Sequence, residues 1–548
     1  MNKKRVIEKL KFLYGKQKAI ETYEEINRLI KTCEIKNEKE KWNEKDVFLV
    51  MYGNQIKSDK RGLETLGKVS KKYFSNFSTI HILPFFVSSG DRGFLVENYT
   101  KVDAKFGTWK DIKKIENNFN LMFDLVLNHV SSKHRWFKEF LKGNKKYGDY
   151  FIAYDKKPRH NEIEKVFRPR TSPLFSKYKT KNGEKYLWTT FSKNHIDLNY
   201  KNPKVLIEII KILLTYIKNG ASAIRLDSAG FIWKELGTTC MHLKQTHCII
   251  QILREIHETV CEKIKLATET NVSHIENMSY FGNGLNEAKM VYNFTLPPLV
   301  LNAFYSGKSK ELLNWLNTLK IPSNKTTMLN FLDSHDGVGL TGAKKIISQA
   351  QIKKLIKQAK KHDVVINYKS VEGGKEPYEI TGTWFSLLNT NDEETEIANK
   401  KYIASRAIAL AMKGIPFIYF HGLLGDKSNY KMYKKTKSGR DLNRADNKLK
   451  DFEKNLKNNE IWKKLNDLIK IRIKEKSFNP DAEQKVLFLN DCIFSIIRNE
   501  KILVLINVCN KKQKIKIPKK FNNGKCIITK RRAEKEMLLE PYEVLWIK

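Results

Sequence analysis

Short apolar runs alternate along this chain with longer segments in which apolar residues recur every third or fourth position. Eight runs stand out: Val47–Met51, Ile80–Leu83, Leu121–Leu127, Ala223–Leu226, Ile264–Thr268, Met290–Tyr292, Thr327–Leu332 and Pro416–Tyr419. Runs so short, continuous and rich in Val, Ile, Leu and Phe predict strands buried on both faces, the pattern of a parallel sheet. The amphipathic segments between them supply the crossovers that parallel pairing needs, and eight strand–helix units are the number that closes a barrel. The expected class is therefore α/β, with a TIM-type (β/α)8 barrel at its centre.

Residues 1–45 come before the first run. They carry Ile20, Tyr23, Ile26, Leu29, Ile30 and Cys33 at helical spacing, then a charged stretch from Lys36 to Lys45, which predicts a helical N-terminal extension packed on the main body. The barrel is expected in two parts, 46–130 and 201–484, because two intervals are too long for simple connections. Residues 131–200, with Arg168-Pro169-Arg170, Trp188 and the turn Lys181-Asn182-Gly183, read as a subdomain inserted after strand 3. Residues from about 338 to 400, with Gly373-Gly374 and Tyr378-Glu379, read as a lid inserted after strand 7. From 485 to 548 the runs Lys485–Leu489, Ile493–Ile497, Ile502–Ile506, Ile515–Ile517, Cys526–Ile528 and Val544–Ile547 predict a C-terminal antiparallel β domain.

Composition narrows the function classes. At 548 residues and 41% hydrophobic the chain can bury a large core, and no apolar stretch reaches the roughly 18 to 20 residues that span a bilayer. The N-terminus mixes charged and apolar residues without an apolar signal core, so a soluble cytoplasmic protein with no membrane partner is expected. Seven cysteines, at 33, 240, 248, 261, 492, 509 and 526, form no C-x-x-C pair and are read as reduced thiols. The cluster Cys240-Met-His242-Leu-Lys-Gln-Thr-His247-Cys248 matches no common zinc spacing, so no metal is expected there. The net charge of +42 comes mostly from lysines spread between Lys3 and Lys548 rather than gathered in a stripe. That distribution argues for compositional bias over nucleic-acid binding, while the field it creates favours a small anionic substrate.

Three carboxylates stand at the ends of predicted strands: Asp227 after Ala-Ile-Arg225-Leu, Glu269 after Leu-Ala-Thr, and Asp336 in Phe-Leu-Asp-Ser-His335-Asp336; His129 closes a fourth run. Strand ends of a barrel converge on one pocket. Cleaving a glycosidic bond with retention needs a carboxylate nucleophile and a second carboxyl group about 5 to 5.5 Å away as acid and base. Arg225, two residues before Asp227, shares its face and is expected to hold that carboxylate ionised, which makes Asp227 the nucleophile. Glu269 follows a more apolar run, where burial raises a carboxyl toward a working acid, and Asp336 suits the stabilisation of an oxocarbenium-like transition state. Singly, each has a structural explanation: a buried ion pair, a helix cap, a loop. Their joint occurrence does not.

The segments Asp124 to His129, Ile224 to Asp227, Glu269, and Ser334 to Asp336 resemble the four signatures of the α-amylase superfamily. Ile80-His-Ile-Leu-Pro84-Phe-Phe, Phe167-Arg-Pro-Arg170, Trp233-Lys-Glu-Leu-Gly-Thr-Thr-Cys-Met-His242, Thr295-Leu-Pro-Pro-Leu and Gly439-Arg440-Asp-Leu-Asn-Arg444 narrow the resemblance to its sucrose phosphorylase and glucosylglycerate phosphorylase group. It covers residues 46 to 548, and the helical extension is similar to the glucosylglycerate branch.

The resemblance implies a retaining α-glucoside phosphorylase that passes glucose through a covalent β-glucosyl-enzyme to inorganic phosphate, releasing α-D-glucose 1-phosphate. It implies that Asp227 is the nucleophile, Glu269 the acid and base, and Asp336 the transition-state stabiliser. Asp91, Phe94, His129, Arg225, His335 and Arg440 would bind the glucose, and Arg170 and Tyr378 the phosphate. No cofactor is implied; Asn128 resembles a calcium ligand of true amylases, but the phosphorylase group does not need the metal. Asn271 stands where sucrose phosphorylases carry His, Glu379 where they carry Gln, and Phe231 where they carry Tyr. These acceptor-side departures disfavour fructose and favour a small acid or polyol, so a glucosylglycerate-type substrate is preferred over a sucrose-type one. The expected partners are the glucoside and phosphate, with a homodimer left open. An α-glucosidase or transglucosidase of the same superfamily is the nearest alternative, then a non-catalytic scaffold barrel, and last a nucleic-acid binder.

Overall fold

The computed structural model describes residues 1–33, 35, 41–371 and 373–548. The eight runs form eight strands: β1 (Phe48–Tyr52), β2 (Thr79–Leu83), β3 (Asn120–Val126), β4 (Ala221–Asp227), β5 (Lys265–Thr268), β6 (Met290–Tyr292), β7 (Thr327–Asn330) and β8 (Ile415–Tyr419). All pair in parallel and in chain order, and β8 meets both β7 and β1, so the sheet closes into a (β/α)8 barrel. Closure leaves the barrel sheet without a free edge. Near the strand ends the inward side chains break the apolar pattern. Arg225 stands beside Asp124 in the β4–β3 register, so both project into the barrel, and Asp227 follows two residues later on the same face.

The N-terminal extension is a helical hairpin, α1 (Lys3–Tyr14) and α2 (Lys16–Lys31), turning at Gly15 with φ 79°. Its buried face is Val6, Leu10, Ala19, Tyr23 and Ile26, packed on the barrel helices α3 (Pro203–Lys218) and α4 (Lys244–Val260). Ile20, expected on that face, is 39% exposed, because the true stripe runs through Ala19 and Thr22 beside Tyr23 and Ile26. The charged stretch read from Lys36 lies outside the described residues as far as residue 40.

Between β3 and β4 the chain builds a three-stranded antiparallel sheet, Ala153–Tyr154, Phe175–Thr180 and Gly183–Trp188, around a small core of Val166, Leu174, Phe175 and Trp188 that Cys240 joins. After β7 come Val338–Gly339 and the hairpin of Val365–Val371 with Gly374–Thr381. The two insertions touch across the barrel mouth: Arg168 bridges Ser370, whose hydroxyl donates to the Arg170 carbonyl at 3.4 Å. Beyond residue 484 lies a four-stranded antiparallel sheet and a two-stranded ribbon, Gln513–Lys516 with Glu536–Leu539. The Cys526–Ile528 run forms no strand. Cys526 makes one bridge to Ile547 and buries its side chain in the core of this sheet, so its apolarity reflects burial rather than pairing.

The seven cysteines are free thiols. In the 240–248 cluster each candidate ligand finds its own partner: the Cys240 thiol the Glu235 carbonyl at 3.2 Å, His242 the Tyr280 hydroxyl at 2.5 Å, His247 Glu287 at 2.8 Å, and Cys248 the Lys9 carbonyl at 3.6 Å. Among the described residues no helix is long and apolar enough to cross a membrane.

One buried ion pair sets the exit of β7. Arg406, on the helix Thr395–Ala411, grips Asp333 with two hydrogen bonds of 2.9 and 2.6 Å, fixing the start of the segment that carries His335 and Asp336. Replacing Arg406 by Leu strands Asp333 without a counter-charge and should cost about 3 to 5 kcal/mol in urea unfolding. A loss under about 1 kcal/mol would show that the pair does not anchor this exit.

Candidate active site

The barrel floor is polar and gathers three acids around one arginine. Arg225, 2% exposed, donates to Asp227 Oδ1 at 2.8 Å and to Asp124 Oδ1 from the same nitrogen, while its other terminal nitrogen lies 3.6 Å from Glu269 Oε2. His81 contacts the second Asp124 oxygen at 2.8 Å. Burial alone would push Asp124 up, but His81 and Arg225 outweigh it and hold the carboxyl at about 2. The Arg225 guanidinium lies 5.5 Å from the ring centres of both Phe94 and Tyr292, so it has aromatic faces as well as carboxylates beside it.

Asp227 ends β4, and the next residue turns sharply. Ser228 takes φ 52°, a left-handed conformation that aims its N–H at Glu269 Oε2, 3.2 Å away. The acid at the end of β5 is thus tied to the turn after β4. Arg225 does not keep Asp227 as acidic as the sequence reading expected. Burial pushes the carboxyl up to about 7, since Arg225 is shared with Asp124 and the charges of Glu269, Asp124 and Asp336 add to the burial. Glu269 is raised too, by burial first, with Asp336 and Asp124 opposing the pull of Arg225 and the Ser228 N–H. The contacts still distinguish the two acids: Arg225 hydrogen-bonds Asp227 directly but only approaches Glu269. Shared charge therefore rests on Asp227 and a shared proton on Glu269.

The far end has the opposite balance. Arg440 donates to both oxygens of Asp91 at 2.7 Å and lies 3.2 Å from Asp336, and Arg444 reaches the same pair at 3.4 and 3.1 Å. Although burial works against ionisation, Arg440, His335, Arg444 and Arg170 keep Asp336 well below the usual carboxylate range. Asp91 is held low as well, with Arg440, His195 and Arg444 overcoming its burial. His335 stacks flat on Phe94 with ring centres 5.0 Å apart, and burial holds it neutral, pushed down to about 3. His129, which opens the short strand His129–Ser131 after β3, is likewise neutral through burial, and its Nε2 is buried without a partner among the described residues.

The roof comes from the two insertions. Arg170 enters from the first, Tyr378 and Glu379 from the hairpin, and Asn271 from the loop after β5. Tyr378 donates to the Asn271 carbonyl at 3.4 Å, and Glu379 accepts from Asn367 at 3.1 Å and Thr381 at 3.0 Å. Asn271 lies directly over Gly339, where a Cβ would fall 2.3 Å from its side-chain oxygen, and that oxygen is buried without a partner among the described residues. A side chain at Gly339 would push the Asn271 amide aside.

All thirteen residues singled out from the sequence line one cavity of 270 Å³: Asp227, Glu269 and Asp336; Asp91, Phe94, His129, Arg225, His335 and Arg440; Arg170, Asn271, Tyr378 and Glu379. Four participants were not among them. Asp124 sits behind Arg225, Arg444 behind Asp336, and His195 and Phe191 line the wall beside His129. Arg444 closes the quoted Gly439–Arg444 segment and could have been found there; His195 and Phe191 fall in the first insertion without a local signal. Asn128 turns its oxygen to the buried Lys234 ammonium at 2.7 Å, and that ammonium also meets Asp197 at 2.9 Å, so a side-chain cation occupies this oxygen cluster.

Residues 72–378 match the alpha-amylase catalytic-domain family. The chain is 37% identical to a glucosylglycerate phosphorylase of Allomeiothermus silvanus over 99% of its own length and 98% of that protein's. It is 35% identical to the glucosylglycerate phosphorylase of Escherichia coli over 97% and 96%. Among solved structures it superposes on a sucrose 6F-phosphate phosphorylase from Thermoanaerobacter thermosaccharolyticum with TM-score 0.77 at 27% identity, covering 92% of this chain and 99% of that one.

The raised Asp227 has a consequence for stability. The Asp227–Glu269 pair, raised by burial above the value near 4 of an unfolded carboxyl, holds a shared proton when folded, so its support for the fold drains as pH rises from about 4 to 7. Asp227→Asn should therefore unfold later than wild type at pH 8, with the advantage shrinking toward pH 4. Melting curves at both pH values check this, and a variant no more stable at pH 8 would refute it. Asp336 and Asp91 act in the opposite sense, their support being lost as pH falls below about 4.

Proposed function

Because the chain belongs to the alpha-amylase family, and within it to the group of glucosylglycerate and sucrose phosphorylases, we propose that it is a retaining phosphorylase acting on α-glucosylglycerate. The observation that carries this reading is the single guanidinium of Arg225 in contact with both Asp227 and Glu269 inside one cavity, with Arg170 facing them from the roof.

In the first step an Asp227 oxygen attacks the anomeric carbon, the bond from that carbon to the glycerate oxygen breaks, and Glu269 gives its proton to the departing oxygen. In the second, a phosphate oxygen attacks the same carbon from the vacated face, the bond to Asp227 breaks, and the phosphate proton passes to Glu269. Two inversions return α-glucose 1-phosphate. Asp336, kept ionised by its arginines, offsets the positive charge that builds on the sugar ring in both steps. Asp91 and Arg440 hold the remote hydroxyls, Phe94 offers a ring face, and the unpartnered His129 Nε2 receives a hydroxyl.

The acceptor end reads a small hydroxy acid. Arg170 provides the charge for phosphate or for the glycerate carboxylate, Tyr378 a second donor, and the Asn271 side-chain oxygen, unpartnered among the described residues, a contact for a hydroxyl. Glu379 is already engaged by Asn367 and Thr381, which tempers its repulsion of an anion. The free thiols suit a cytoplasmic location.

Purified protein given α-glucosylglycerate and phosphate should release glucose 1-phosphate, and release of glucose alone at every phosphate concentration would end the phosphorylase reading. Arg170→Ala should raise the KM for phosphate by about 10- to 100-fold. Equal phosphate KM values would remove Arg170 from the phosphate site.

A further inference from the structure

The segment Trp233–His242 lies behind the cavity, yet it is pinned to the site at several points. Lys234 donates to the Phe231 carbonyl, and Met241 packs with Phe231 and Val272 beneath the roof. The segment ends on His242, whose N–H donates to the Gly230 carbonyl at 3.1 Å. The His242 ring then presses on Gly230 from the other side: a Cβ there would fall 3.1 Å from His242 Cε1 and 3.2 Å from the Tyr280 hydroxyl. Gly230 belongs to the turn Ser228–Phe231 that follows Asp227, the turn whose first N–H is directed at Glu269.

The support for His242 is itself anchored. Its Nδ1 meets the Tyr280 hydroxyl at 2.5 Å, and the fully buried Tyr280 ring stacks on His247 with centres 4.8 Å apart. His247 bonds Glu287 at 2.8 Å, Gln251 donates to the other Glu287 oxygen at 2.8 Å, and Arg254 donates to its main-chain carbonyl at 2.7 Å. His247, Gln251 and Arg254 are successive turns of α4, so the chain of contacts ends on a barrel helix. Three residues along this path, Ser228, Cys240 and His242, take φ of 52°, 51° and 57°. Side-chain-bearing residues adopt that conformation only where the surroundings impose it.

We propose that His242 and Tyr280 are positioning residues that hold the Ser228–Phe231 turn so that the Ser228 N–H keeps Glu269 aligned for proton transfer. This rests on the assignment of Glu269 as the general acid, and it goes beyond that assignment by giving the acid an outer support that never meets the substrate. Such a support acts on steps that need the proton and spares those that do not.

Tyr280→Phe keeps the ring on His247 and removes only the hydroxyl, and His242→Asn is a second variant because asparagine tolerates the left-handed conformation. Two donors separate the effects: an alkoxide-leaving α-glucoside, either glucosylglycerate or sucrose, whichever wild type consumes faster, and α-glucosyl fluoride, whose fluoride departs without a proton from an acid. Both variants should lower kcat/KM for the alkoxide donor about 10-fold or more and for the fluoride less than about 2-fold, with melting within a few degrees of wild type. Equal losses on both donors, with or without early melting, would make the pair merely structural and overturn the proposal, as would no loss on either. Donor consumption is read with phosphate or water as acceptor. A wild type that releases only glucose would therefore refute the phosphorylase reading while leaving this comparison intact.

Discussion

A single buried guanidinium organises the site. Arg225 is surrounded by Asp124, Asp227 and Glu269, and none of these acids could be taken into the barrel without it, since burying an isolated carboxylate costs several kcal/mol. Three acids exceed what one cation can neutralise. His81 takes part of the load from Asp124, but the remainder falls on Asp227 and Glu269, and both are pushed toward protonation. That residual frustration is chemically useful. A pair that together favours one proton is what a nucleophile and a general acid require, and the direct Arg225–Asp227 bond decides which of the two carries the charge.

The two ends of the cavity differ in how fully their polar groups are already satisfied. Around Asp91 and Asp336, two arginines and two histidines already surround the carboxylates. At the roof the Asn271 side chain has an unpartnered oxygen and Arg170 no acidic partner among the described residues. A preorganised end suits the invariant sugar of both half-reactions, while an incomplete end suits two different occupants, the departing acceptor and the incoming phosphate. The insertions that build the roof meet each other at Arg168, Arg170 and Ser370, so its shape depends on segments about 200 residues apart in the chain.

Much of this was legible from local pattern. Each of the eight apolar runs became a barrel strand, because a strand buried on both faces leaves a continuous apolar signature, and the acids broke that signature where the strands end. The pattern was weaker where burial and pairing part company. Cys526–Ile528 is apolar but makes only one bridge and no strand, Glu536–Leu539 is paired while half its residues face solvent, and Ile20 is apolar yet exposed. Periodicity reports which side chains avoid water, and it reports strands only when the two coincide.

By itself, then, the sequence determined the barrel, the order of its strands and the acids at their ends, since these follow from hydrophobic periodicity and from residue types adjacent in the chain. Only the tertiary structure decided how the charges settle. Arg225 was expected to keep Asp227 acidic, but Asp124 comes from a neighbouring strand and claims the same nitrogen, and Arg444 and His195 reach the site from distant segments. Electrostatic energy depends on distance through space and on local burial, neither of which is written in residue spacing, and a carboxyl's proton affinity is set only when every charged neighbour is in place.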